Sequence, residues 1–297
     1  MPPAIQTFGL TKTYGPVLAL DSLFLTVEKA EIFGFLGPNG AGKTTTIRLL
    51  LDFIRPSSGR AEVMGHDTHR ESLEVRRQVG YLAGDVSLYE SMTGEALLEL
   101  LVRLRGGNSI EHGRRLADRL DLALHRRVGD YSSGMRQKLA LVAAFMPQPE
   151  LLVLDEPTKG LDPLVQQELY TILREERERG CTVFLSSHNL PEVEKVCNRV
   201  GIVRQGKLVA VEEVDAIKHK KVRMLELTFS RPVAREALVM DGVEIRSLDG
   251  NRAQLAVLGH VPDILRRLVE LPIEDLEFPE ATLENTFMQY YGEGVER

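Results

Sequence analysis

The sequence predicts an α/β fold with a largely parallel central sheet, a helical insertion and a small α+β domain at the end. The apolar run 31–36 is followed by a glycine-rich turn and a helical pattern at 45–51, which is how an α/β unit begins. Two further short apolar runs, 151–154 and 182–185, flank a charged helical pattern at about 164–179. This alternation of strand and helix predicts parallel strands joined by crossover helices.

The segments around this pattern complete the first domain. Residues 5–36 carry short β-like runs before the glycine-rich turn. Between about 85 and 147 the pattern becomes helical, and Thr93 is predicted to cap the first helix of this insertion. The predicted helices span 96–104, about 110–124 and 133–146, and Pro147 ends the third.

From about residue 220 onward the pattern changes again and predicts a separate small domain. The predicted elements are a strand at 222–229, a helix at 233–240, a hairpin of strands 243–248 and 252–257, a helix at 261–270, a strand at 273–278 and a last helix at 283–291. The order β-α-β-β-α-β suggests a ferredoxin-like domain with a trailing helix. We therefore divide the chain into 1–218 and 219–297.

Charge and composition narrow the classes of function. The 43 acidic residues outnumber the 37 basic ones, and the resulting net charge of −6 argues against a nucleic-acid partner, which would need a basic stripe. The longest apolar run, 139–146, is far shorter than the about 20 residues of a membrane-spanning helix. The N-terminus has no signal-peptide pattern, so Cys181 and Cys197 are expected to be reduced thiols in a cytosol.

The glycine-rich turn carries the clearest chemical motif. It matches G-x-x-x-x-G-K-[ST], in which backbone N–H groups and a helix N-terminus surround phosphates, a lysine contacts the outer phosphates and a hydroxyl binds Mg²⁺. The alternative, a glycine-rich turn without a ligand, is disfavoured by the strand before it and the helix after it. The predicted nucleotide-binding residues are Gly37, Pro38, Asn39, Gly40, Ala41, Gly42, Lys43, Thr44 and Thr45.

Two carboxylates follow the apolar run 151–154. Asp155 is predicted to hold Mg²⁺ together with Thr44, and Glu156 is the candidate base for the water that attacks the γ-phosphate. Open α/β sheets place ligands at such strand ends. The alternative is an acidic turn without a function, which the phosphate motif in the same chain makes less attractive.

The residues around this acidic pair resemble one family of P-loop NTPases, the ATP-binding-cassette (ABC) ATPases. Residues 131–138 are similar to their signature motif, 155–163 to their Walker B motif and D-loop, and 186–188 to the strand end that carries their switch histidine. Tyr14, 23 residues before Gly37, matches the aromatic residue that stacks on adenine. Considered alone, Tyr14 would be interpreted as an ordinary surface aromatic residue. The order of the motifs along the chain supports the resemblance, which covers residues 1 to about 218.

The resemblance implies an ATPase that works as a head-to-tail dimer, with a homodimer expected before a heterodimer. The helix start at Ser132, Ser133 and Gly134 would bind the γ-phosphate of an ATP held by the other copy, although the two serines taken alone are simply good helix caps. His188 would orient the attacking water, although considered alone it would be interpreted as an ordinary loop histidine. Asp162 would communicate between the two sites.

The sequence departs from the family at three positions. Ser133 stands where the signature usually has glycine, and Met135 where it often has glutamine. The more consequential departure is Gly84, which stands at or next to the glutamine that contacts Mg²⁺ in the family and signals to the membrane subunit. The following Asp85 either substitutes for it through a water or only begins the loop.

The resemblance also implies partners. The chain has no membrane-spanning segment of its own, so a separate transmembrane permease is expected to dock near residues 84–92, at the cytoplasmic face of the cell membrane. The chain most resembles ABC-2-type drug and antibiotic exporters, a match that includes residues 134–138 and 282–287. The second domain is expected to stabilise a dimer or to sense a ligand. A soluble ABC-type ATPase and a nucleotide-gated binding module remain as alternative functions.

Overall fold

The computed structural model of the 297-residue chain describes residues 2–107, 109–219, 223–257 and 260–278. The chain divides into two compact units, Met1–Val214 and Asp215–Arg297. Within the described ranges, no helix combines the length and the apolar character needed to cross a bilayer.

The first unit is a mixed α/β structure, and the α/β class predicted from the sequence is confirmed. Its strands are β1 (Ile5–Tyr14), β2 (Val17–Leu23), β3 (Thr26–Val27), β4 (Ile32–Leu36), β5 (Ser58–Val63), β6 (His66–Asp67), β7 (Val79–Leu82), β8 (Leu151–Asp155), β9 (Thr182–Ser187), β10 (Arg199–Arg204) and β11 (Lys207–Glu213). Its helices are α1 (Lys43–Leu50), α2 (Ser72–Gln78), α3 (Gly94–Leu104), α4 (Glu111–Arg119), α5 (Ser133–Phe145), α6 (Pro163–Glu178) and α7 (Leu190–Val196). Helix α8 (Val214–His219) follows.

The central sheet has the strand order β11-β10-β4-β9-β8-β7, in which only the pairing of β10 with β11 is antiparallel. Every residue of β4, β8 and β9 is buried. Side chains of these strands share a core cluster with α1 and with strands β1, β2 and β5. The Phe33 and Phe184 rings stack at 6.0 Å between centroids on neighbouring strands. The carboxyl ends of these three strands carry the residues described in the next subsection.

A second sheet, with strand order β2-β1-β5-β6 and β3 paired to β1, is antiparallel. The predicted β-like runs before residue 36 correspond to β1 through β4. The hairpin of β1 and β2 ends with Tyr14 paired to Val17, and both side chains are exposed.

The predicted helical insertion contains α3, α4 and α5 and lies between β7 and β8. Thr93 caps α3 as expected, since its Oγ1 accepts a hydrogen bond from the Ala96 N–H at 3.2 Å. The helix predicted at about 110–124 is shorter than expected and ends at Arg119. Asp121 adopts a left-handed φ of +50°, which an α-helix cannot continue through.

The second unit contains β12 (Arg223–Phe229), β13 (Val243–Asp249), β14 (Arg252–Val257), α9 (Val261–Leu268) and β15 (Ile273–Glu277). The strands form an antiparallel sheet in the order β13-β14-β12-β15. The helix predicted at 233–240 is wrong: the chain makes only a 3-10 turn at Arg235–Leu238, of which Leu238 alone is buried. The helix predicted at 283–291 and the motif at 282–287 lie outside the described residues, and the ferredoxin-like assignment stays a prediction.

Candidate nucleotide site

The phosphate loop lies between β4 and α1, at the carboxyl edge of the central sheet. Gly40 and Gly42 have φ values of +79° and +105°, the left-handed region that glycine adopts without strain. A Cβ on Gly37 would lie 2.3 Å from the Val203 carbonyl oxygen, so only glycine fits there. Helix α1 starts at Lys43 without a side-chain cap, which leaves its first N–H groups directed at the loop.

Lys43 is 6% exposed, and its ammonium group is folded back over the loop. The Nζ atom donates hydrogen bonds to the carbonyl oxygens of Gly37 at 2.7 Å and Pro38 at 3.2 Å, and it lies 3.6 Å from Glu156 Oε1. Burial lowers the pKa of Lys43, and the Glu156 and Asp155 carboxylates oppose this effect. The loop therefore holds a desolvated positive charge whose partners are groups of the site itself.

Asp155 ends β8 and is 2% exposed, with each carboxylate oxygen bonded to a hydroxyl. Oδ2 accepts a hydrogen bond from Thr44 Oγ1 at 2.9 Å, and Oδ1 accepts one from Ser186 Oγ at 2.5 Å. The two predicted metal ligands, Thr44 and Asp155, are therefore in direct contact. Their hard oxygen atoms fit Mg²⁺, which binds few protein ligands and keeps waters and phosphate oxygens in the rest of its shell.

Glu156 lies between Lys43 and His188. The Nδ1 atom of the histidine is 2.9 Å from Glu156 Oε1. The Glu156 backbone has a φ of +51°, an unfavourable conformation for a non-glycine residue, and its N–H bonds to Ser186 across the sheet. Strained backbone of this kind concentrates at functional sites because neighbouring interactions hold it in place.

Two adjoining cavities mark the space around these residues. The larger, of about 400 Å³, has a lining that includes Thr44, Asp155, Glu156 and His188. The smaller, of about 160 Å³, is lined by the phosphate loop and by Ala19 of β2. Asn39, Thr44 and Glu156 line both cavities. The phosphate loop, the acidic pair and the histidine therefore line the same space.

Other predicted site residues lie outside these cavities. Ser132 is the N-cap of α5 and accepts a hydrogen bond from the Met135 N–H at 3.2 Å. Ser133 and Gly134 form the first turn, where a Cβ on Gly134 would lie 2.8 Å from the Gly160 carbonyl oxygen. Tyr14 lies at the end of the β1–β2 hairpin, whose second strand contributes Ala19 to the smaller cavity. Ser132, Ser133 and Gly134 are not among the residues that line the two cavities around the phosphate loop.

Several residues of the site are not apparent from the sequence. Ser186 faces Asp155 because the two residues are paired across β8 and β9, a relation that depends on strand order. Lys159 donates from Nζ to the Gly84 carbonyl oxygen at 3.2 Å and to Asp85 Oδ1 at 3.3 Å. Gln137, which is buried, donates to the Pro157 carbonyl oxygen at 3.1 Å and so joins α5 to the loop after β8.

Comparisons with known proteins agree with this arrangement. A family model described as ABC transporter matches residues 20–159. The bacitracin transport ATP-binding protein BcrA of Bacillus licheniformis is 34% identical over 305 residues, covering 99% of each chain. The daunorubicin resistance ATP-binding protein DrrA3 of Streptomyces coeruleorubidus is 38% identical over 279 residues, covering 92% of this chain and 84% of its own.

Solved structures match about seven tenths of the chain. The ATP binding subunit of an ABC transporter has 30% identity and a TM-score of 0.67, covering 73% of this chain and 92% of its own. A dimeric cassette, MJ0796, in a post-hydrolysis state with ADP and Pi, has 23% identity and a TM-score of 0.64, covering 71% of this chain and 98% of its own. At that identity the second structure shows the shared fold alone.

Proposed function

The chain belongs to the family of ABC transporter ATP-binding proteins and is an ATPase, and on this premise we propose that it drives export through a separate transmembrane permease. The bacitracin and daunorubicin relatives favour an antibiotic or another drug-like molecule as the cargo. The observation that carries the proposal is the position of Glu156, 2.9 Å from His188 Nδ1 and 3.6 Å from Lys43 Nζ, beside the Thr44–Asp155 contact.

ATP binds with its phosphates in the loop formed by residues 37–45. The left-handed glycines turn the backbone so that N–H groups face the phosphates, and the N-terminus of α1 adds a positive potential. Lys43 exchanges its loop carbonyl partners for phosphate oxygens, which is favourable because charged acceptors make stronger hydrogen bonds. Thr44 and Asp155 would hold Mg²⁺, which when bound neutralises charge on the outer phosphates.

Glu156 and His188 act on the attacking water. The Glu156 carboxylate accepts the proton from that water, and its strained backbone directs the side chain into the larger cavity. The imidazole of His188 is held against the same carboxylate and orients the water relative to the γ-phosphate. Asp155 remains a ligand instead of a base, because both of its oxygens are already bonded.

The nucleotide site is completed by a second cassette, which we propose is a second copy of this chain. The first turn of α5, with Ser132, Ser133 and Gly134, offers exposed hydroxyls and a helix N-terminus that suit a γ-phosphate. A head-to-tail dimer supplies these residues to the other copy's phosphate loop. Tyr14, at the end of the hairpin that contributes Ala19 to the smaller cavity, stacks on the adenine.

The permease docks on the segment after β7, at the cytoplasmic face of the membrane. Tyr89 in this segment is 65% exposed, and the exposed Phe53 packs against Tyr81 at a ring distance of 5.4 Å. Apolar surface that is exposed over a contiguous patch suits contact with another protein, and the Phe53–Tyr81 pair offers such surface. In this proposal residues 1–218 form the motor domain, and residues 219–297 form an accessory domain.

The experiment that tests the proposal is the substitution Glu156→Gln. The amide occupies the same volume but cannot accept the proton, so ATP turnover is expected to fall about 10²- to 10⁴-fold while ATP binding is retained. Without hydrolysis, the ATP-bound chain is expected to elute as a stable dimer in size-exclusion chromatography with light scattering. Removal of ATP should return it to the monomer.

The matched control is Glu178→Gln, which makes the same chemical change at an exposed position near the end of α6. This variant is expected to keep the turnover of the parent chain and its short-lived ATP dimer. If Glu156→Gln hydrolyses ATP at the parental rate, Glu156 is not the base and the proposed mechanism is wrong.

A further inference from the structure

A buried carboxyl group lies directly behind the proposed histidine and has no part in the mechanism given above. Glu192 is in α7, four residues after His188, and is only 3% exposed. Burying a carboxyl group is costly unless its oxygens are fully bonded, and an apolar side chain of similar size is often at least as stable at such a place. Packing alone therefore does not account for this residue.

The contacts of Glu192 lead to the histidine. Its Oε2 accepts a hydrogen bond from Ser187 Oγ at 2.5 Å. Ser187 is the last residue of β9 and immediately precedes His188. The Ser187 hydroxyl also accepts a hydrogen bond from the Asn189 N–H at 2.9 Å. The Ser187 hydroxyl, which Glu192 orients, thus contacts the backbone of Asn189, the residue that follows the histidine.

The same turn is linked to the phosphate loop. The Ser187 carbonyl oxygen accepts a hydrogen bond from the Gly37 N–H at 3.2 Å. The turn that carries His188 is therefore fixed at three points, by Gly37, by Asn189 and by the Glu192 carboxyl group. The histidine side chain itself is half exposed and contacts Glu156, so its position depends on this backbone.

Electrostatic contacts agree with this geometry. Burial raises the pKa of Glu192, whereas the hydroxyl groups of Ser187 and Thr158 lower it. The Glu156 carboxylate raises the same pKa further, and the His188 ring lowers it. The buried carboxyl group is therefore close enough to both proposed catalytic side chains to interact with their charges.

We propose that Glu192 is a positioning residue, which through the Ser187 hydroxyl holds the turn that keeps the His188 ring against Glu156. This inference rests on the proposed role of His188 in hydrolysis. Glu192 does not contact the nucleotide; its effect on the rate passes through the histidine. Small displacements of a reacting group cost up to about 100-fold in rate, which sets the scale of the expected effect.

The test is a double-mutant cycle on steady-state ATP hydrolysis by the full chain. In the parent background, Glu192→Ala is expected to lower kcat about 10- to 100-fold with a KM for ATP within about twofold of the parent. In a His188→Ala background the same substitution is expected to change kcat less than about twofold, because no histidine remains to be positioned. Equal losses in both backgrounds, or no loss in the parent, would overturn the inference.

Two conservative variants keep the test usable if Glu192→Ala folds poorly. Glu192→Gln retains an acceptor for the Ser187 hydroxyl and is expected to restore most of kcat. Ser187→Ala removes the donor and is expected to lower kcat as Glu192→Ala does, with the same dependence on His188. A Gln variant as slow as the Ala variant contradicts the positioning role, and so does a Ser187→Ala variant with the parental kcat.

The cycle also separates this inference from the proposed function. If His188→Ala alone turns over at the parental rate, the histidine has no role in hydrolysis, and both the proposed role and the inference fail. If His188→Ala is slow but Glu192→Ala acts equally in both backgrounds, only the inference fails. Glu194→Gln, on the same helix, is the control for a change of charge near α7.

Discussion

The chain has Gly84 at or next to the position where the family has a glutamine, and substitution of Gly84 tests whether this site accepts a side chain. A Cβ at position 84 would lie 3.0 Å from Asp155 Oδ2 and 3.2 Å from its Cγ, closer than ordinary van der Waals contact. Asp155 has little room to yield, because it is 2% exposed and both of its oxygens are bonded to hydroxyls. We therefore expect that any side chain at position 84 disturbs the proposed metal ligand.

The loss of Mg²⁺ affinity can be estimated from the distance between the added Cβ and Asp155, which is a few tenths of an ångström shorter than an ordinary contact. Overpacking of this kind typically costs about 1–3 kcal/mol. If that cost falls on the metal-bound state, the affinity for Mg²⁺ drops about 5- to 150-fold, at about 1.4 kcal/mol per factor of ten. Gly84→Ala carries the Cβ alone, whereas Gly84→Gln adds the amide that the family has near this position.

The assay is ATP hydrolysis as a function of Mg²⁺ concentration at saturating ATP. In Gly84→Ala we expect the half-saturating Mg²⁺ concentration to rise about 5- to 150-fold. In Gly84→Gln we expect no further rise if the added amide reaches the metal. Unfolding by denaturant at saturating Mg²⁺ and ATP should report a comparable loss of stability, and unfolding without them should report a smaller one. A Gly84→Ala variant with the parental Mg²⁺ dependence and kcat would show that Asp155 can move, and would refute the reasoning.

Two further predictions concern the phosphate loop and the core. Lys43→Ala is expected to weaken ATP binding at least about tenfold in a nucleotide titration, since it removes a charged hydrogen-bond donor. The control in the same titration is Lys195→Ala, which changes an exposed lysine. If Lys43→Ala binds ATP as the parent chain does, residues 37–45 are not the phosphate-binding loop. Gly34→Ala is expected to destabilise the chain by about 1–3 kcal/mol in denaturant unfolding, because its Cβ would lie 2.9 Å from Cys197 Sγ and 3.0 Å from Val193 Cγ1. Cys197→Ala should recover part of that loss, and additive effects would contradict the proposed clash.

The sequence predicts those parts of the site that lie close together along the chain. The phosphate loop, the strand carrying Asp155 and the cap at Ser132 each consist of a local pattern with a local physical reason, and each lies where it was expected. The helix expected at 233–240 fails because its residues bury too little apolar surface, a property that depends on the rest of the domain. Propensity is a weak guide there.

The partners supplied by distant segments could not be predicted in this way. Ser186 contacts Asp155 because β8 and β9 are neighbours in register, and Lys159 contacts Asp85 because the loops after β7 and β8 leave the same edge of the sheet. Neither pair has a spacing that identifies it in one sequence. Glu192 is a further case, since a glutamate in a short amphipathic helix gives no sign that it will be buried.

The loop after β8 connects these separate contacts. Glu156 contacts Lys43 and His188 at one end of this loop, and Lys159 contacts Asp85 in the segment proposed to dock the permease. Gly160 packs against Gly134 in the first turn of α5, and Asp162 caps α6 by accepting hydrogen bonds from the N–H groups of Leu164 and Val165. Because one loop of a few residues makes all of these contacts, we expect a movement of Glu156 toward a bound nucleotide to reach both the segment proposed to dock the permease and the first turn of α5, which is proposed to meet the second cassette.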